Sequence, residues 1–137
     1  MTEQQTVEQI LKNYRTVAVV GLSPKVHRDS FGVARYMQAQ GWRIIPINPN
    51  ASEILGEKAY PTLTDAAREH RIELVDVFRN SADVPPVVDE AITVGAQALW
   101  LQLGISHDAA TAKARASGLL VVENRCLMVD HRRTAAA

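Results

Sequence analysis

Cysteine is nearly missing from this chain: Cys126 is the one thiol among 137 residues. No internal disulfide can form, so a packed core must hold the fold. Net charge is also missing, with 15 basic residues against 15 acidic ones. That balance argues against a nucleic-acid binder working through bulk charge, and any anion site must be local. No apolar run approaches the roughly 20 residues of a membrane span, and no signal-peptide layout is present. A cytoplasmic location without membrane contact is therefore expected. The four histidines, His27, His70, His107 and His131, show no metal-ligand spacing. No G-x-S-x-G elbow occurs, Ser23 has no base partner in sequence, and no catalytic constellation is visible. There is no linker, low-complexity stretch or repeat, and the length favours one domain over 1–137, burying about two thirds of its unfolded surface.

What is present is a βα rhythm. Val7, Ile10, Leu11 and Tyr14 fall at helical spacing, with Thr6 and Gln9 in the order of a capping box, predicting a helix within 1–15. Residues 17–21 are apolar without alternation, as in a strand covered on both faces. Ser30 can cap a helix that carries Phe31, Ala34 and Met37 on one face and stops at Gly41. A second strand spans 42–47 and ends at Asn48-Pro49-Asn50, giving a right-handed βαβ crossover. Residues 56–61 hold only a short strand, and 64–70 only a short helix. Further strands are expected over 72–78, 98–103 and 119–122. The intervening helices start at Pro85 and at a Ser106 cap. The tail over 131–137 is polar, then Ala-rich, and is expected to be loose. The alternation defines an α/β fold: a Rossmann-like, doubly wound parallel sheet of five or six strands with helices on both faces.

In such a sheet ligands lie at the carboxyl ends of the strands, near the point where strand order reverses. The stretch leaving the first strand, Gly21-Leu22-Ser23-Pro24-Lys25, followed by His27, Arg28 and Ser30, is the arrangement by which backbone N–H groups and nearby cations hold a phosphate. A nicotinamide dinucleotide fits it poorly. The second glycine of G-x-G-x-x-G is absent, and neutral Asn48-Pro49 stands where an acid would take the ribose hydroxyls.

Five ordered segments carry a family resemblance: Gly21-Leu22-Ser23-Pro24-Lys25, Ile45-Pro46-Ile47-Asn48-Pro49, Asp76-Val77-Phe78-Arg79, Trp100 through Ile105, and Asn124-Arg125-Cys126-Leu127-Met128. Together they resemble the small bacterial CoA-binding proteins, similar in turn to the CoA-binding domain of the succinyl-CoA synthetase α subunit. The resemblance implies coenzyme A or acyl-CoA as the ligand. Gly21, Leu22 and Ser23 would meet its phosphates, with charge from Lys25 and Arg28 and with Ser30 at the helix start. Asn48 and Pro49 would border the nucleotide, Phe78 and Arg79 would line the adenine or pantetheine path, and Gln102, Gly104 and Ile105 would form the floor. The synthetase's phosphohistidine belongs to a further domain, so no catalytic activity carries over.

Cys126 has two readings, a buried small hydrophobe or a thiol beside the reactive end of CoA with Arg125 favouring thiolate. The bland counterparts elsewhere are a turn glycine at Gly21, solvated charges at Lys25 and Arg28, and core packing at Phe78. Non-catalytic CoA binding is the expected function. Two alternatives remain: an NAD(P)-binding or acyl-CoA-ligase-related enzyme piece, and a CoA-responsive interaction module acting as a homodimer or with a protein partner.

Overall fold

Val17, Ala18, Val19 and Val20 are all buried because the strand they form has a neighbour on each edge and helices on each face. In the computed structural model, which describes residues 1–136, that strand is β1 (Thr16–Val20). It pairs in parallel with β2 (Arg43–Ile47) on one side and β5 (Leu74–Val77) on the other. β6 (Ala98–Leu101) and β7 (Leu120–Val122) extend the sheet, also in parallel, to give the order β2-β1-β5-β6-β7. The chain leaves β1 toward β2 and returns to build β5 on the opposite edge of β1. Strand order therefore reverses between β1 and β5, and their carboxyl ends mark the switch point.

Alternate residues of each strand feed two separate cores. Val17 and Val19 of β1 pack under α1 (Glu3–Asn13), α2 (Asp29–Ala39) and α6 (Leu127–Ala136), through residues such as Ile10, Met37 and Leu127. Ala18 and Val20 pack under α3 (Leu63–Ala67), α4 (Val84–Thr93) and α5 (Asp108–Ala116), through Leu63, Val88 and Ala114. The Rossmann-like architecture expected from the alternation is thus what forms, with five strands.

The sixth position is nearly empty for a local reason. Residues 53–58 fold back on themselves as a hairpin, β3 (Glu53–Ile54) against β4 (Glu57–Lys58). Only Tyr60 then reaches the edge of β2, donating its N–H to Pro46 and accepting from Asn48 in a single parallel bridge to Ile47.

Three helix starts depart from the sequence expectation. The capping box closes at Thr2 and Gln5, one turn before Thr6 and Gln9, and Thr6 is buried inside the helix. Ser30 lies in the first turn of α2, with Arg28 at the N-cap. The cap of α5 is His107, whose Nδ1 accepts from the Ala110 N–H at 3.1 Å, in place of Ser106. The expected loose tail is also corrected: 131–136 belong to α6, and Ala137 lies outside the described residues. Buried Asp130 explains the ordering, since its carboxylate takes a two-bond grip from Arg125 at 2.7 and 2.8 Å.

Candidate functional site

At the switch point the backbone of Gly21 leaves no room for a side chain. Its φ is +86°, and a Cβ would fall on the carbonyl oxygen of Phe78, far inside van der Waals contact. The Gly21 N–H donates to Ile47 at 3.1 Å and the Phe78 N–H to Val20 at 2.8 Å, which ties the carboxyl ends of β1, β2 and β5 together. The glycine is therefore demanded by the turn itself.

Beyond it the loop is held by its serines. Ser23 donates its N–H to the Ser30 hydroxyl at 3.0 Å, and the Ser23 hydroxyl accepts from the Lys25 N–H at 3.1 Å. The N-cap of α2 is Arg28, whose guanidinium has no acceptor, so the helix starts with no side-chain cap. The first N–H groups of a helix have no intrahelical partner and carry the positive end of its dipole. Here those of Asp29, Ser30 and Phe31 take no backbone acceptor either, while Gly32 makes the first turn's bond to Arg28. They border a hollow of about 430 Å³ lined by Gly21, Ser23, Lys25, Arg28, Asp29 and Phe78. Lys25, His27 and Arg28 are exposed, and none makes an ion pair among the described residues. The Asp29 carboxylate is the one opposing charge on the lining.

Phe78 is shared with two further hollows. A slot of about 490 Å³ runs from Arg28 and Asp29 past Val33, Gln102 and Ile105 to Cys126 and Met128 of the β7–α6 segment. On the other side, about 470 Å³ is bounded by Phe78, Arg79, Asn80, Ser81, Gly104 and Ile105. The expected site residues accordingly gather around one aromatic ring, with three exceptions. Leu22 is fully buried, its side chain among the core residues under α2 and only its carbonyl engaged, by Asn48. Asn48 spends its amide on that carbonyl at 2.9 Å and its oxygen on the Asn50 N–H at 2.7 Å. Neither it nor exposed Pro49 lines any of the three hollows.

The floor is laced by hydrogen bonds that no sequence pattern announced. Gln102 accepts from the Leu127 N–H at 3.1 Å and so caps α6. The Gly104 N–H donates to Asn124 Oδ1 at 2.7 Å, while Asn124, at φ 56°, donates its own N–H to Ile105. Cys126 is half-buried at the far end of the slot. Arg125 does not attend its thiol, because the guanidinium is engaged by Asp130, Gln4 and Glu3. The lining residues that sequence reasoning missed are Val26, Asp29, Gly32, Val33, Met128 and Val129. An apolar residue standing in a basic loop, Val26, was the available signal.

One buried group has no partner. Asp76, at the centre of β5 between Val19 and Trp100, is fully inaccessible, and neither carboxyl oxygen has a hydrogen-bond donor. Burial pushes its pKa well above the ordinary 3.8, favouring the neutral carboxyl. With the side-chain period of two, it lies on the same face as Phe78, one step down the strand.

Fold and hollows together define a Rossmann-like α/β domain whose cavities meet at the β1/β5 switch point. The chain belongs to the CoA binding domain family, which matches residues 15–132. The Bacillus subtilis protein YneT is 35% identical over 125 residues, 91% of either chain. The ADP-forming acetate–CoA ligase II of Archaeoglobus fulgidus is 31% identical over 97 residues, which are 69% of this chain and 14% of that enzyme. A solved protein of Pyrococcus horikoshii superposes with a TM-score of 0.90 at 37% identity, over 97% of this chain and 92% of that one.

Proposed function

We propose that the protein binds coenzyme A without transforming it, seating the diphosphate at the start of α2. The carrying observation is that this helix begins with no side-chain cap, beside a hollow lined by Lys25 and Arg28. Free N–H groups and the dipole favour an anion there by about 0.3–1 kcal/mol each in exposed settings, and charge-assisted contacts from the two cations add to this. A diphosphate and a 3′-phosphate carry about four negative charges, since phosphate monoesters have a second pKa near 6. In a chain of zero net charge, these local donors must supply the neutralisation. The family relationship and the ligase homology support the choice of ligand.

The non-catalytic role rests on how the titratable groups are used. His70 is bonded to Tyr60, His107 caps α5, His131 meets the Tyr36 hydroxyl at 2.9 Å, and His27, on the slot lining, pairs with no carboxylate among the described residues. The neutral Asn48 side chain, engaged with the Leu22 carbonyl and the Asn50 N–H, offers no acid to the ribose hydroxyls of NAD. Calorimetric titration with CoA, NAD and NADP tests the assignment. CoA should bind, its affinity should fall with salt, and Lys25→Ala and Arg28→Ala should each weaken it several-fold. Undiminished affinity in both variants, or tighter binding of NAD than of CoA, would refute the placement.

A further inference from the structure

Only three large hydrophobic residues are strongly exposed among the described residues: Met1, Val26 and Leu103, the last two 66% and 70% accessible. Val26 comes from the β1–α2 loop and Leu103 from the β6–α5 loop, far apart in sequence, yet both line the same slot of about 490 Å³. Behind them lie Val33, Phe78, Ile105 and Met128. The slot adjoins the α2 hollow, sharing Arg28, Asp29 and Phe78 with it. The hollow on the other side of Phe78 has the opposite character, with Arg79, Asn80 and Ser81 on its lining.

Two arms leave the diphosphate of CoA, and they differ in the same sense. One carries adenosine with a doubly charged phosphate, suited to the Arg79 side, and the other is an uncharged chain ending in a thiol. Val26 and Leu103 differ from scattered surface apolar residues in lining one slot with a buried or half-buried apolar floor. The pantetheine arm itself bears two amides and offers little hydrocarbon to the apolar rim at Val26 and Leu103.

We infer that the occupant of this slot is an acyl thioester of CoA, whose hydrocarbon tail lies between Val26 and Leu103 and extends toward Met128. This rests on the proposed seat of the diphosphate at α2. Full burial of a methylene is equivalent to about fourfold in affinity, so half-burial in an open slot gives about twofold. Six added methylenes, from acetyl to octanoyl, should tighten binding about 60-fold on that basis.

The experiment is a calorimetric series on the full chain with CoA and its acetyl, butyryl, hexanoyl and octanoyl thioesters, repeated on Val26→Ser and Leu103→Ser. Both side chains are exposed, so the variants fold. Affinity should climb with chain length in the wild type, and the ratio of octanoyl-CoA to CoA affinity should drop at least fivefold in each variant. A series flat within twofold while CoA itself binds would overturn the acyl assignment and leave the diphosphate seat standing. Failure of every member to bind would overturn both.

Discussion

Replacing Asp76 by asparagine removes a titration that the fold works against, and the consequence can be given a slope. The carboxyl is fully buried without a donor, and its pKa is raised by desolvation, whereas in the unfolded chain it ionises near the ordinary 3.8. The native state therefore binds one more proton than the unfolded state at every pH between those two values. A raised carboxyl pKa means that stability is fullest below about pH 4 and is lost as pH rises, until the folded carboxyl itself ionises. One proton corresponds to about 1.4 kcal/mol per pH unit. With an unfolding entropy of about 2.1 cal/mol/K per residue, that is roughly 5 °C of Tm per unit for a chain of this length. His131, whose pKa is lowered by burial and Arg15, and Glu69, whose pKa is lowered by Lys58 and Tyr60, titrate alike in both proteins and cancel in the difference. Thermal denaturation of wild type and Asp76→Asn in half-unit steps from about pH 5 upward should show the wild type falling behind by about that slope. Parallel curves would show that Asp76 is ionised or partnered in the folded protein, and the reasoning would fail.

Other substitutions test the local geometry through stability. Gly21→Ala must place a Cβ on the Phe78 carbonyl at φ +86°, and should cost at least about 2 kcal/mol, or some 7 °C. Gly95→Ala, at φ +76° in open space, should cost only about 1 kcal/mol by the same thermal assay. His107→Ala should lose about 1 kcal/mol as a missing cap, whereas Ser106→Ala should stay within about 0.5 kcal/mol; equal effects would reject the cap assignment. Urea denaturation of Arg125→Ala, Asp130→Ala and the double variant should give a coupling of about 1–3 kcal/mol, because Asp130 is 5% exposed and accepts two charge-assisted bonds. A coupling near zero would mean that the pair does not anchor α6.

How much of this was legible in the sequence depends on the range of the interactions involved. The unbroken run Val17-Ala18-Val19-Val20 announced a strand covered on both faces, and each following strand repeated the signal, because burial writes itself into composition. Gly21 and the cations after it were legible as a site because they are adjacent in the chain. Helix starts were misread where several polar residues competed: Thr2 against Thr6, Arg28 against Ser30, Ser106 against His107. The Thr2 box and the His107 cap close within one turn, whereas a partner outside the helix decides Ser30, which turns its hydroxyl to the Ser23 N–H. The slot was invisible for the same reason, since Val26, Leu103 and Met128 converge only after four crossovers have been laid down.

The reversal of strand order between β1 and β5 explains why so many requirements fall on two neighbouring backbone segments. Nothing crosses over the carboxyl ends of these two strands, because their following chains depart to opposite sides of the sheet. A cleft opens there. For its walls to reach one ligand the strands must stay closely registered to their last residues, which the Phe78 N–H to Val20 bond achieves. That closeness brings the Phe78 carbonyl against Gly21 and forbids a side chain at 21. It also sends the Phe78 ring up between the hollows, where it borders all three. Position 76 then follows from the strand period: it must point into the same face one step lower, sealed beneath the cleft. A carboxylic acid there contributes no hydrogen bond and costs stability above about pH 4. Packing alone would favour an apolar residue at that position, so its cost marks β5 as the strand where the fold departs furthest from what stability requires.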